Sequence, residues 1–181
     1  MTKSRAAARW ERLRRRPLNY PEVGASAAEQ LPAGYRHVRR TAVIGTGRDV
    51  FERAAEQVMR WEVQRGAGLA VTAEAAVAEP GSSVVVRLGP LKAVARVVYT
   101  VDEPDRRGFA YGTLRGHPEA GEEYFGVRHD PDGTVAVEIV AFSRPATWWS
   151  RLGAPVAAMV QDRITERYLA ALRPHPAPAT E

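Results

Sequence analysis

From Leu69 onward, apolar side chains recur at every second position through six successive segments, and nothing else in the chain constrains its fold as strongly. The segments are Leu69 to Ala78, Ser82 to Leu88, Lys92 to Val101, Arg107 to Leu114, Glu122 to His129 and Thr134 to Phe142. Period two over such lengths predicts strands. Turn residues separate them: Pro80 and Gly81, Gly89 and Pro90, Pro104 to Arg106, Gly116 to Gly121, and Asp130 to Gly133. Connections this short suit hairpins between antiparallel strands and are too short for the crossovers of a parallel sheet. A seventh strand precedes them, Arg36 to Ile44, ending at Gly45.

Two stretches instead carry helical spacing. Thr46 precedes Asp49 by three, a capping-box-like start, and Val50, Phe51, Ala54, Ala55, Val58 and Trp61 then form one stripe that stops by Gly66 and Gly68. Thr147 to Leu172 is longer, with Pro155 suited to a first turn and a stripe of Val156, Met159, Val160, Ile164, Tyr168 and Leu172. The order strand, helix, six strands, long helix predicts an α+β fold. A seven-stranded antiparallel sheet must bury its apolar face, and the C-terminal helix is the cover it would curl around. Such a wrap encloses space between sheet and helix, which makes a pocket worth seeking.

The remainder of the chain bounds the domain. A length of 181 residues suits one core. The formal charge of +5 sits at one end: residues 1–16 hold Lys3, Arg5, Arg9, Arg12, Arg14, Arg15 and Arg16 against Glu11 alone, so the body is near neutral. Trp10 and Leu13 are the only large apolar residues there, so residues 1–17 are expected to be a disordered basic extension, and a chain starting at Leu18 to fold equally well. Residues 17–34 carry Pro17, Pro21, Gly24, Pro32 and Gly34 and read as loop, with order starting near Tyr35. Residues 18–172 would form the domain, and the Pro- and Ala-rich residues 173–181 a disordered tail. Without Cys there is no disulfide, thiolate metal site or cysteine nucleophile. No segment has the apolar length of a membrane span or signal core, so a cytoplasmic protein is expected. The arginines could meet anionic lipid or nucleic acid, but no reading motif accompanies them and no specific nucleic-acid partner is expected.

Candidate chemistry lies in three places. VIGTGRDVF, Val43 to Phe51, puts Gly45 and Gly47 between strand and helix but lacks the third glycine and the βαβ setting of a dinucleotide site. GHPEAGEE, Gly116 to Glu123, gathers His117, Glu119, Glu122 and Glu123; it could supply a general acid or base, or be a solvated acidic hairpin loop. Alternation sends Glu122 and Glu123 to opposite faces of their strand, so at most one points inward. One His among carboxylates has no zinc spacing, and neither metal nor cofactor is expected. FSRPATWW, Phe142 to Trp149, offers Arg144 for an anion and Trp148 and Trp149 for stacking or for sealing the core. Glu138 and Arg96 are charges on strands apolar on both faces, lining a cavity or lying outside.

Several blocks taken in order carry a resemblance: LNYPEVGAS at Leu18 to Ser26, LPAGYRHVRRTAVIGTGRDVFERA at Leu31 to Ala54, RWE at Arg60 to Glu62, YGTLRGHPEAGEEYF at Tyr111 to Phe125 and AFSRPATWWSRLG at Ala141 to Gly153. From Leu18 to Leu172 the chain resembles the bacterial and plant family called domain of unknown function nineteen-ninety. The one departure is Ser26, where Thr is expected; the hydroxyl is kept. That family is similar to the START, polyketide-cyclase and birch-pollen-allergen group, whose helix-grip fold wraps a curved antiparallel sheet around a C-terminal helix and encloses an apolar cavity. The resemblance implies a helix-grip domain and no particular activity. The expected function is binding of a small apolar or amphipathic molecule between sheet and helix, with His117, Glu119, Glu122, Glu123, Tyr111, Arg144 and Trp61 as ligand-binding candidates. The alternatives are a cyclase- or hydrolase-type enzyme using His117, Glu122 or Glu123 in the same cavity, or a protein acting through its surface. Ser143 has no nucleophile-elbow motif, so the reading leans away from an enzyme.

Overall fold

The computed structural model describes residues 3–146, 163 and 165–172. Seven strands form one antiparallel sheet in the order β1-β7-β6-β5-β4-β3-β2. They are β1 (Arg36–Thr46), β2 (Ala70–Ala73), β3 (Ser83–Leu88), β4 (Leu91–Glu103), β5 (Arg106–Thr113), β6 (Glu119–His129) and β7 (Thr134–Pro145). β2 to β7 run as a meander of hairpins, and β1 closes on the far side of β7. Helix α1 (Lys3–Arg14) precedes the sheet, and α2 (Arg48–Met59) and α3 (Glu62–Gly66) follow β1. Residues 165–171 are helical; the rest of the expected C-terminal helix, with Trp148 and Trp149, and the expected tail 173–181 lie outside the described residues.

The inner face carries the main core. Phe109, Phe125, Val127, Val135, Val137 and Ile139 pack against Phe51 and Val58 of α2, Trp61 and Val63 around α3, and Tyr168, Leu169 and Leu172. Each strand residue here is two from the next along its strand, as burial of one face requires. The expected start of α2 moves: Thr46 ends β1, and Gly47 is the N-cap with no side-chain cap. Its single long stripe is also broken, because Trp61 takes the left-handed conformation at φ 68° and begins α3. That turn points the indole into the core, edge-on to Phe109 at 4.7 Å between centroids, with Nε1 donating to the Ala75 carbonyl at 3.3 Å. The expected strand Leu69 to Ala78 shortens to the four residues of β2. A bulge in β4 between Val97 and Tyr99 overrides simple alternation: Val97 stays in the inner core while Tyr99 joins Tyr124 and Ala110 on the other face.

The outer face is apolar because the N-terminal quarter of the chain covers it. This corrects the expectation of a disordered extension. Leu13 of α1 is buried against Val85, Val94 and Leu114. Arg96, left open from sequence as lining or outward, lies part-buried beneath the end of α1. Its Nη2 donates to the carbonyls of Leu13, Arg14 and Arg16 at 2.8, 2.7 and 2.9 Å, placing a cation at the C-terminal end of the helix. Residues 17–34 are also docked: Leu18 bridges to Leu114, and Tyr20 packs with Ala120 and Phe142. Removing residues 1–16 is therefore expected to cost about 3 kcal/mol, from the loss of one buried Leu and the three bonds to Arg96. Urea denaturation measures it; an unchanged midpoint would show that α1 contributes nothing.

Candidate functional site

Glu122 and Glu123 lie on opposite faces of β6, as alternation demands, and their surroundings differ completely. Glu122 faces outward yet is only 2% exposed, because residues 20–26 close over it. Its carboxyl group accepts four hydrogen bonds: from the Tyr20 hydroxyl at 2.6 Å, the Gly24 amide at 2.8 Å, the Ser26 amide at 3.0 Å and the Ser26 hydroxyl at 2.5 Å. Burial and the Glu122 carboxyl push the Tyr20 phenol far above its ordinary range, so it stays a donor. Gly112 leaves no room for a side chain here, since a Cβ would overlap the Tyr20 hydroxyl. With all its acceptor directions met by the chain itself, Glu122 ties the N-terminal segment to the sheet.

Glu123 faces inward. Tyr111, its direct partner across the β5–β6 pair, donates its hydroxyl to Glu123 Oε2 at 3.0 Å. Burial pushes the Glu123 carboxyl up to about 7; the Tyr111 bond pulls the other way, and the Glu119 carboxylate adds to the rise. Burial also raises the Tyr111 and Tyr168 phenols well above their usual range, with Glu123 contributing to both. Glu119 on the same strand is raised by burial, against the opposing pull of the Ser143 hydroxyl and Arg36. The ring of Phe125 lies between, 5.3 Å from Tyr111 and 5.1 Å from Tyr168. A carboxyl group in an aromatic setting, met by a neutral phenol, is the kind of perturbed acid found at working sites. On α3, Gln64 is fully buried and neither amide atom has a hydrogen-bond partner among the described residues.

His117 and Arg144 come together elsewhere, at the end of β6 and β7 where the β5–β6 connection turns. They line a cleft of about 630 Å³ with Asn19, Arg115 and Ala120. His117 Nδ1 accepts the Glu119 amide at 2.9 Å, and burial drops the imidazole to about 4, so it is neutral at physiological pH. The candidates read from sequence thus divide into four places: Glu119, Glu123 and Tyr111 inward, His117 and Arg144 at the cleft, Glu122 under the N-terminal segment, and Trp61 in the core. Glu138, also left open, lies on the outer face and pairs with Arg106 and Arg128 at 3.2 and 3.1 Å.

Residues 19–171 match the family described as Domain of unknown function (DUF1990). The chain belongs to this family. A "UPF0548 protein" of Deinococcus radiodurans is 33% identical, over 92% of this chain and 91% of that protein. Among solved structures, the hypothetical protein jhp0584 from Helicobacter pylori shares the fold, with a TM-score of 0.59 at 9% identity over 87% of this chain and 96% of that one. Truncated norcoclaurine synthase from Thalictrum flavum aligns with a TM-score of 0.49 at 8% identity, over 82% of this chain and all 100% of that one.

The DUF1990 sequence blocks now have a physical connection. LNYPEVGAS supplies the donors and GHPEAGEEYF the acceptor of one buried cluster, and the Ser26 hydroxyl is what that cluster uses. Tyr20 and Asn19 gave no chemical signal in the sequence because their partners, Glu122 and Glu119, are about a hundred residues away, and Arg115 and Gln64 gave none either. Asn19 is the one Asn of the chain and lies in the first block, which was its only signal.

Proposed function

We propose that the protein binds a small, largely apolar molecule against the inner face of the sheet, beneath the C-terminal helix, with its polar end at Glu123 and Tyr111. One observation carries the reading: the Glu123 carboxyl stands among aromatic rings on the inner face with a neutral phenol as its hydrogen-bond partner. Burying such a group costs stability, and a fold that needs only a core would place an apolar residue there. A ligand with a hydroxyl or amino group would use that acceptor, and the Gln64 amide, without a partner among the described residues, offers a second polar contact. His117, Glu122 and Arg144 leave the ligand-contact set, because they serve the cleft and the N-terminal segment.

Titration with the uncharged fluorescent probe N-phenylnaphthylamine tests this. Saturable binding is expected, displaced by long-chain alcohols and amines, and Glu123→Gln should weaken the amines about tenfold while sparing the probe. Absence of saturable probe binding would contradict the reading. A second reading, in which Glu123 is a general acid or base, draws on its position near 7. It requires that Glu123→Gln abolish turnover of a bound molecule without releasing it.

A further inference from the structure

Arginine in this protein is commonly tied to a carboxylate or carbonyl. Arg14 meets Glu74, Arg48 meets Asp105, Arg107 meets Glu52, and Arg96 holds the end of α1. The guanidinium groups of Arg115 and Arg144 meet no carboxylate among the described residues, and both line the outer cleft. Arg144 is oriented without being neutralised among the described residues: its Cζ stacks 4.5 Å from the centroid of the Tyr35 ring, a contact that uses the guanidinium face and not its N–H edges. Tyr35 is itself fixed by donating to Glu22 Oε2 at 2.5 Å. A third guanidinium reaches the rim, since Arg16 Nη1 donates to the Arg115 carbonyl at 3.2 Å.

His117 completes the set. Its Nδ1 is taken by the Glu119 backbone, 2.9 Å from the amide and 3.1 Å from the carbonyl, and in the tautomer that accepts the amide the ring proton is on Nε2, which is then a donor. No carboxylate side chain belongs to the described lining, and the volume of about 630 Å³ is that of a site for an organic molecule, well beyond a bare ion. We infer that this cleft binds a small phosphate monoester, its phosphate oxygens held by Arg115, Arg144 and the Nε2–H of His117. Phosphate suits the set better than carboxylate because it presents more oxygens to converging donors, and guanidinium forks match it bidentately. The site is on the opposite face of the sheet from Glu123, so it stands whether or not the inner face takes a ligand.

Isothermal titration calorimetry of the full chain with phenyl phosphate, inorganic phosphate and acetate tests the inference. Phenyl phosphate should bind at one site, inorganic phosphate more weakly and acetate least. Arg115→Gln and Arg144→Gln should each weaken phenyl phosphate about tenfold or more, while Arg40→Gln, on exposed β1 surface, leaves it unchanged. Arg115 is exposed, so its variant decides the matter even if Arg144→Gln fails to fold. Saturation should also raise the titration midpoint of the His117 imidazole in proton NMR. Phosphatidate vesicles separate the sources: sedimentation abolished by Arg115→Gln assigns a lipid headgroup, whereas binding of phenyl phosphate alone assigns a soluble ester. No saturable binding of phenyl phosphate, or equal weakening by Arg40→Gln, would overturn the site.

Discussion

Glu122→Ala is expected to destabilise the fold by about 4 kcal/mol or more, since each buried donor left unpaired costs about 1–3 kcal/mol. The Tyr20 hydroxyl, the Gly24 and Ser26 amides and the Ser26 hydroxyl would all lose their acceptor at once. A domain holds only about 5–15 kcal/mol in total, so this is a large fraction. Single-donor variants should cost far less: Tyr20→Phe and Ser26→Ala about 1 kcal/mol each. Chemical denaturation measures all three, and amide hydrogen exchange should show residues 18–27 losing protection first in Glu122→Ala. A loss below 1 kcal/mol would mean that the N-terminal segment is held by its apolar contacts instead.

Its neighbour should behave in the opposite way. The Glu123 carboxyl loses its proton near 7 in the folded chain but near the ordinary 4.5 when unfolded. Between those values the folded state holds the extra proton, so stability falls as pH rises and the loss is complete above neutrality, on the order of 3 kcal/mol. Glu123→Gln removes that loss and should stabilise the protein above neutrality by roughly 2–3 kcal/mol. His117 works in the reverse sense: with its folded value down at about 4 from 6.5, the unfolded chain takes up the proton first, so stability falls with acidification through that window. From 4.5 to 6.5 the two slopes oppose each other. Wild type should therefore be nearly flat there as far as these groups are concerned, and Glu123→Gln should unmask a fall toward pH 4. Urea midpoints across this range decide it; a variant less stable than wild type above neutrality would show that Glu123 is charged and favourably paired.

That adjacent glutamates carry opposite expectations was half legible in the sequence. Alternation separated them, but nothing in β6 said which face was inner, because its outer residues Ala120 and Tyr124 are as buried as the inner Phe125 and Val127. The reason lies a hundred residues away, in Tyr20 and Ser26. The meander was readable because each hairpin closes on near neighbours, and period and turn chemistry are local signals. The docking of α1 was not, since it depends on one Leu and on Arg96, a residue more than eighty positions removed. The bulge at Val97 and Tyr99 likewise reverses a side chain with no composition to announce it. His117 and Arg144 share the cleft, whereas Glu122 is closed off under residues 20–26 and Glu123 is on the other face of β6, so the four do not form one site.

An inner face that holds a small apolar molecule with its polar end at Glu123 should carry that molecule through purification. Native mass spectrometry of the protein purified under non-denaturing conditions from the organism that makes it tests this most directly. A discrete adduct of a small organic molecule is predicted, lost on denaturation and diminished in Glu123→Gln. Bare protein in repeated preparations, or an adduct undiminished by Glu123→Gln, would contradict the claim.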